Sequence, residues 1–147
     1  VKTRRTVLFL CTGNYYRSRF AEIVFNHRAR GAGLDWQATS RGLAAVFGAW
    51  NVGPISPFTL KKLAEMSIEC ESTQRDAKHC TESDLESADL IIALKEAEHR
   101  PLMQMRFNGY TDRVEYWNVH DVDQASSDDA LPQIEKLVDE LISRLQK

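Results

Sequence analysis

Val7-Leu8-Phe9-Leu10-Cys11-Thr12-Gly13-Asn14-Tyr15-Tyr16-Arg17-Ser18 is an apolar run followed by a short polar loop, and from Phe20 the pattern turns helical. Residues 6–10 are continuously apolar, which predicts a strand buried on both faces. Residues 18–30 predict a helix with Phe20, Ile23, Val24 and His27 on one face and Gly31 as its stop. A loop at a helix N-terminus gathers unpaired backbone N–H groups, and such a place binds an anion such as phosphate. Thr12, Gly13, Asn14, Tyr15, Tyr16 and Ser18 are the expected phosphate cradle. A cysteine beside helix-end amides and an arginine is favoured as the nucleophilic thiolate. Arg17 carries a planar fork of donors that can grip two phosphate oxygens at once. The expectation is that Cys11 attacks phosphorus, Arg17 clamps the phosphate, and Ser18 hydrogen-bonds the sulfur when it departs. The plainer alternative, a buried strand-end cysteine with a surface arginine, leaves the loop glycine and the helix after it without a purpose.

Working outward, 147 residues suit one domain, 1–147, with a sizeable core. A net charge of −2 gives no global basic field to attract nucleic acid or an anionic membrane. The cluster Lys2-Thr3-Arg4-Arg5 is short and terminal and reads as a solvated end. No apolar run approaches the roughly 20 residues of a membrane span, and the N-terminus lacks a signal-peptide pattern. Cys11, Cys70 and Cys80 are an odd number at no metal-like spacing, which fits a reducing cytoplasm and at least one working thiol.

Further strands are expected at 36–40, 88–94 and 113–116. Residues 41–57 are rich in small and turn-forming residues, a long connection of the kind that is often functional. Ser56-Pro57 reads as N-cap and first residue of a helix with Leu60, Leu63, Ala64 and Met66 inward. Thr81 caps a short turn through Ser83, Asp84 and Leu85. Residues 95–105 are helical with a break or restart at Pro101. Residues 117–127 are irregular and polar. The last helix repeats Ile134, Leu137, Val138, Leu141, Ile142 and Leu145 at 3-4 spacing. Alternating strands and helices predict an α/β fold, a parallel sheet covered on both faces, with ligands at the carboxyl ends of its strands. The loops after Ser40, Leu94 and Tyr116 then share an edge with Cys11.

Displacing an alcohol from phosphorus also needs an acid for the leaving oxygen. Asp121 and Asp123, in a loop at that edge, are both candidates. No metal is required and no metal-ligand cluster is present in the sequence; no cofactor is expected.

These residues resemble the low-molecular-weight protein tyrosine phosphatase family, whose fold the thioredoxin-coupled arsenate reductases share. The loop Cys11-Thr12-Gly13-Asn14 with Arg17 and Ser18 carries the likeness. So do Thr39-Ser40-Arg41-Gly42, residues 63–68 followed by Arg75, Ala88-Asp89-Leu90-Ile91-Ile92 with Glu98-His99, and Tyr116-Trp117-Asn118-Val119-His120-Asp121. The resemblance implies a four-stranded parallel sheet with flanking helices. It singles out Asp121 as general acid and has Asn14 and Ser40 hydrogen-bond to hold the loop in shape. It implies a phosphomonoesterase working through a cysteinyl-phosphate, with phosphotyrosine in proteins or a small phosphate ester as substrate.

The chain also departs from that pattern. A cysteine often found before the loop arginine is Tyr16, so no protective disulfide forms there. The proline after the loop serine is Arg19. The proline after the acid is Val122, and the tyrosines that come next are Asp123 and Gln124. A loop-supporting histidine of some members is Ser72. Tyr15, Tyr16 and Trp50 are available to stack on a phenyl ring in place of the missing tyrosines. A phosphate- or phosphopeptide-binding module with weak turnover is the alternative. Arsenate reduction is disfavoured, because Lys95 stands where those reductases place a second working cysteine, and Cys70 and Cys80 read as structural or incidental thiols.

Overall fold

The computed structural model describes residues 4–44, 53–121 and 126–147. Its elements alternate: β1 (Arg5–Cys11), α1 (Arg17–Gly31), β2 (Trp36–Gly42), α2 (Pro57–Glu65), α3 (Glu82–Ser87), β3 (Leu90–Ala93), α4 (Glu96–Arg106), β4 (Val114–Tyr116) and α5 (Ser127–Leu145), with 3₁₀ turns at Glu71–Gln74 and Asn108–Arg113. The four strands form one parallel sheet in the order β2-β1-β3-β4. β1 is central because its residues can be covered on both faces. Val7, Phe9 and Cys11 face one core with Phe20, Val24 and Phe25 of α1 and Ile134 and Val138 of α5. Leu8 and Leu10 face the other, with Leu85 of α3, Ile91 of β3 and Met103 of α4. The period-2 alternation of β1 thus points Cys11 to the α1 side of the sheet.

Local signals in the sequence account for most element ends. Ser56 Oγ accepts the Phe58 N–H at 3.2 Å, with Pro57 in the first helical position. Thr81 and Asp84 form a reciprocal capping box on α3. The α1 stop differs from expectation. Gly31 is still helical, and the chain turns at Gly33, whose φ is +65°. Leu34 N–H then reaches Ala29 O at 2.9 Å and Gly33 N–H reaches Arg30 O at 3.2 Å, a Schellman closure that needs the left-handed residue two places later. Pro101 does not break α4 either: the helix is continuous across it. The carbonyl it leaves without a helical donor belongs to Ala97, an exposed residue, so water can serve it. β3 is shorter than 88–94, since Ala88 caps α3 and the Asp89 carboxylate accepts the Thr6 N–H at 2.7 Å. Among the described residues no helix is long and apolar enough to cross a membrane.

The carboxyl ends of β1, β3 and β4 converge. Leu94 N–H donates to Leu10 O at 2.9 Å, Val119 N–H to Leu94 O at 2.7 Å, and Glu96 N–H to Trp117 O at 3.0 Å. Residues 117–121 are thereby pinned against the start of α4, beside the loop after β1. From the β2 end, Leu43 N–H and Ala44 N–H donate to Cys11 O and Thr12 O, each at 2.9 Å.

Candidate active site

The loop after β1 is shaped by what its carbonyls bind. Cys11 O and Thr12 O take the donors just named. Asn14 O accepts from Arg19 Nη1 at 3.3 Å. Tyr15 O accepts from Ser56 N–H at 2.9 Å, and Tyr16 O from Phe20 N–H at 3.1 Å and Thr59 Oγ1 at 3.2 Å. In a trans peptide the carbonyl and the next N–H point opposite ways. Carbonyls drawn outward therefore turn the N–H groups of Thr12, Gly13, Tyr15, Tyr16 and Arg17 toward the loop's interior. Gly13 is not demanded by packing, since a side chain there would meet only Tyr15 Cβ at 3.9 Å; its smallness keeps the loop open to an approaching group.

Asn14 is the loop's left-handed residue, with φ +50°. Asparagine tolerates that region better than most residues, and here its side chain is fully used. Nδ2 donates to Ser18 Oγ and to Ser40 Oγ, both at 2.9 Å. Oδ1 accepts from Lys78 N–H at 3.0 Å and Arg75 Nη1 at 3.1 Å. Ser40 Oγ donates to Glu22 Oε1 at 2.5 Å, and Arg75 Nη2 donates to both, at 2.9 Å each. Ser18 Oγ, which accepts from Asn14, lies 2.9 Å from Cys11 Sγ, where its hydroxyl can donate to the sulfur once that sulfur is a thiolate. That polarity suits a sulfur carrying negative charge.

On the β3–β4 side Arg17 is 1 % exposed, and its terminal nitrogens are already matched. Nη1 donates to Glu98 Oε1 at 3.2 Å and to Val119 O at 3.0 Å. Nη2 donates to Glu98 Oε2 at 2.7 Å and to Asp121 Oδ2 at 3.4 Å. The fork expected from the sequence to grip phosphate is held by the two carboxylates of Glu98 and Asp121. Burial is the largest influence and works against the Arg17 charge, but the Glu98 hydrogen bonds and the attraction of Cys11, Asp121 and Glu98 together raise its pKa. Burial likewise opposes the Glu98 charge, yet hydrogen bonds from His99, Arg17 and Thr12 hold its carboxyl well below the usual carboxylate range.

Glu98 and His99 carry no role in the sequence reading. His99 is fully buried. Its Nδ1 accepts the Lys95 N–H at 3.0 Å, so the ring proton sits on Nε2, which faces Thr12 Oγ1 at 3.1 Å and Glu98 Oε2 at 3.2 Å. Thr12 Oγ1 in turn donates to Glu98. Burial lowers the His99 pKa against the pull of Glu98, which keeps the ring neutral. An acidic residue in the first turn of a helix is ordinarily read as a complement to the helix dipole; only the convergence of the β1 and β3 edges reveals its second use.

Of the aromatic wall, Tyr15 is half-buried and Tyr16 only 5 % exposed, with its hydroxyl unpartnered among the described residues. Tyr16 meets Phe58 edge-on at 6.4 Å, and Phe58, half exposed at the start of α2, is the ring that sequence reasoning missed. Burial first, then Asp121, pushes the Tyr16 phenol up to about 12, so it stays protonated. Trp50 and Asp123 lie outside the described residues. No cluster able to hold a metal ion occurs among the described residues.

Residues 6–147 match the family described as low molecular weight phosphotyrosine protein phosphatase. A protein-arginine-phosphatase of Bacillus subtilis (strain 168) is 33% identical over 108 residues, 74% of this chain and 67% of that protein. A low molecular weight phosphotyrosine protein phosphatase of Schizosaccharomyces pombe is 30% identical over 135 residues, 91% of this chain and 78% of that one. The crystal structure of a low molecular weight protein tyrosine phosphatase from T. tengcongensis superposes with a TM-score of 0.80 at 28% identity, covering 95% of this chain and 99% of that one. The match across the sequence, the same sheet and the cysteine at the end of β1 agree: the chain belongs to the low molecular weight phosphotyrosine protein phosphatase family, whose members are cysteine-dependent hydrolases.

Proposed function

We propose that this chain is a phosphomonoesterase that acts through a cysteinyl-phosphate on Cys11, with phosphotyrosine in proteins as its substrate class. The observation that carries the reading is the convergence on one loop of the Cys11–Ser18 contact, 2.9 Å, with Arg17 and the Asp121 carboxylate, 3.4 Å apart. The phosphate enters the loop, exchanges with Glu98 and Asp121 on Arg17, and meets the interior N–H groups, which stabilise its equatorial oxygens. Cys11 Sγ forms the S–P bond as the ester P–O bond breaks, and Asp121 gives the leaving oxygen its proton. In the second half a water attacks phosphorus, Asp121 takes the water's proton, and the thiolate departs toward the Ser18 hydroxyl. Tyr15 and Phe58 are the rings available to flank a phenyl group. A phosphorylated protein or a small phosphate ester is the expected partner, and the unpaired Cys11 suits the reducing cytoplasm.

Turnover of an aryl phosphate with a burst of one alcohol per chain tests this; stoichiometric phosphate binding without turnover would favour the binding-module reading. The arginine-phosphatase relative favours phosphoarginine as a second substrate class. Comparing kcat/KM for phosphotyrosine and phosphoarginine peptides decides between them, and tenfold preference for phosphoarginine contradicts the first. Thioredoxin-coupled arsenate reduction is not proposed. Lys95 comes directly after Leu94 at the end of β3, and burial pushes the Cys80 thiol up to about 12, which makes it a poor relay nucleophile.

A further inference from the structure

On the β2 side of the loop stands Arg19, where the resemblance leads one to expect proline. It is fully buried, and every hydrogen bond it makes among the described residues goes to a backbone carbonyl. Nη1 donates to Asn14 O at 3.3 Å and Pro54 O at 3.0 Å. Nη2 donates to Ser72 O and Arg75 O, both at 2.8 Å. Three segments, the phosphate loop, the chain before α2 and the first 3₁₀ helix with its C-terminal end, are tied to one guanidinium. Among the described residues Nε finds no partner. A buried cation held only by carbonyls lacks the paired anion that ordinarily accompanies it.

The charges around the loop show what that cation is near. On the β3–β4 side Arg17 faces two carboxylates, Glu98 and Asp121. On the β2 side Arg19 and Arg75 share one buried carboxylate, Glu22, with Asp76 exposed nearby. A phosphate ester and a thiolate both add negative charge between these groups. Cys11 and Arg19 interact electrostatically across the loop, so the buried Arg19 cation favours negative charge there. Burial, then the Arg75 charge, brings the Arg19 pKa down to about 10, which leaves it cationic at neutral pH.

We propose that Arg19 is a positioning residue of the anion site: it holds the Asn14 carbonyl outward, so that the loop's N–H groups stay turned inward, and its buried charge favours an anion in the loop. The path to the sulfur is short. Arg19 fixes the Asn14 backbone, Asn14 Nδ2 orients Ser18 Oγ, and Ser18 Oγ meets Cys11 Sγ. The inference deepens the proposed function and rests on residues 11–18 being an anion site.

The test is binding of inorganic phosphate to the full chain and to Arg19→Lys and Arg19→Gln, measured by calorimetry with melting temperatures alongside. Lys and Gln are of similar size and both retain donors; they differ in charge. Arg19→Gln is expected to weaken phosphate binding by roughly tenfold or more, and Arg19→Lys to bind at least about threefold tighter than Gln while remaining weaker than wild type. Should Arg19→Gln fail to fold, the Lys variant still decides through its affinity and through KM, which rises more than kcat falls. Wild-type affinity in a folded Arg19→Gln, or Lys and Gln variants equal in affinity, overturns the inference. Absence of phosphate binding by the wild-type chain overturns the underlying reading of the loop instead.

Discussion

The two sides of the catalytic loop are built for different purposes. On the β3–β4 side a buried arginine meets two carboxylates that are part-exposed, Glu98 at 29% and Asp121 at 39% of their side-chain surface. On the β2 side Asn14, Ser40, Glu22 and Arg19 are all buried and Arg75 closes the group, with each Asn14 amide hydrogen and lone pair used. Part-exposed ionic contacts exchange readily with a charged ligand, whereas a satisfied buried network holds one geometry. On the proposed mechanism the β3–β4 side is the part that changes partners during turnover, and the β2 side is the part that keeps the loop's shape. If that division is right, substitutions on the first side damage rate and spare stability, and substitutions on the second damage both.

The largest expected effect lies between the two sides. Cys11→Ser should lower kcat on the order of 10⁵–10⁶-fold, the scale seen when a nucleophile is removed elsewhere, while inorganic phosphate still binds because the loop amides remain. Near-normal turnover in that variant sinks the nucleophile assignment. Asp121→Asn should slow phenyl phosphate by about 10²–10⁴-fold and esters of strongly acidic phenols far less, since a good leaving group departs without a proton. If the leaving-group dependence appears in Asp123→Asn instead, the acid sits two residues further on. Arg17→Lys should cost roughly 10²–10³-fold, because an ammonium cannot reproduce the planar fork; the melting temperature tells whether that loss is confined to chemistry.

Crossing to the β2 side, Asn14→Ala should destabilise the fold by roughly 3 kcal/mol, from partners left unmatched and a left-handed alanine. Denaturation at unchanged midpoint would break the comparison. A gentler test, back on the β3–β4 side, uses pH. The His99 pKa is depressed in the fold, so the associated stability is fully present above the unfolded value of about 6.5 and is lost as pH falls below it. The depressed Glu98 carboxyl adds loss at still lower pH. The melting temperature should fall between pH 7 and pH 5, and His99→Asn should flatten that slope. An unaltered slope means that acid sensitivity arises elsewhere. The smallest change expected is in Tyr16→Phe, which removes a buried, unpartnered hydroxyl and should raise stability by about 1 kcal/mol.

Sequence reasoning reached the sheet because β1 is apolar from Val7 to Leu10 and the turn chemistry at Ser56, Thr81 and the phosphate loop is local. Gly31 and Pro101 misled for the same reason: each is a punctuation signal whose force depends on its neighbours. Gly33 closes the helix better, and Ala97 lies where water can replace a lost bond. Asn14, Arg17, Ser18 and Ser40 were legible through their spacing and family likeness. Glu98, His99 and Arg75 were legible only as part of the family likeness; their roles were not, since the contacts from Glu98 to Arg17, His99 to Thr12 and Arg75 to Asn14 each span more than 60 residues. Arg19 was visible only as a departure, and its four carbonyl contacts come from segments no periodicity connects.

The central claim is a covalent phosphate on Cys11. Asp121→Asn mixed with excess acidic aryl phosphate, quenched in acid within milliseconds and digested, should yield one peptide heavier by a phosphoryl group, with the mass localised to Cys11 and absent from Cys11→Ser. A burst of product with no phosphopeptide, or phosphate on any other residue, would contradict it.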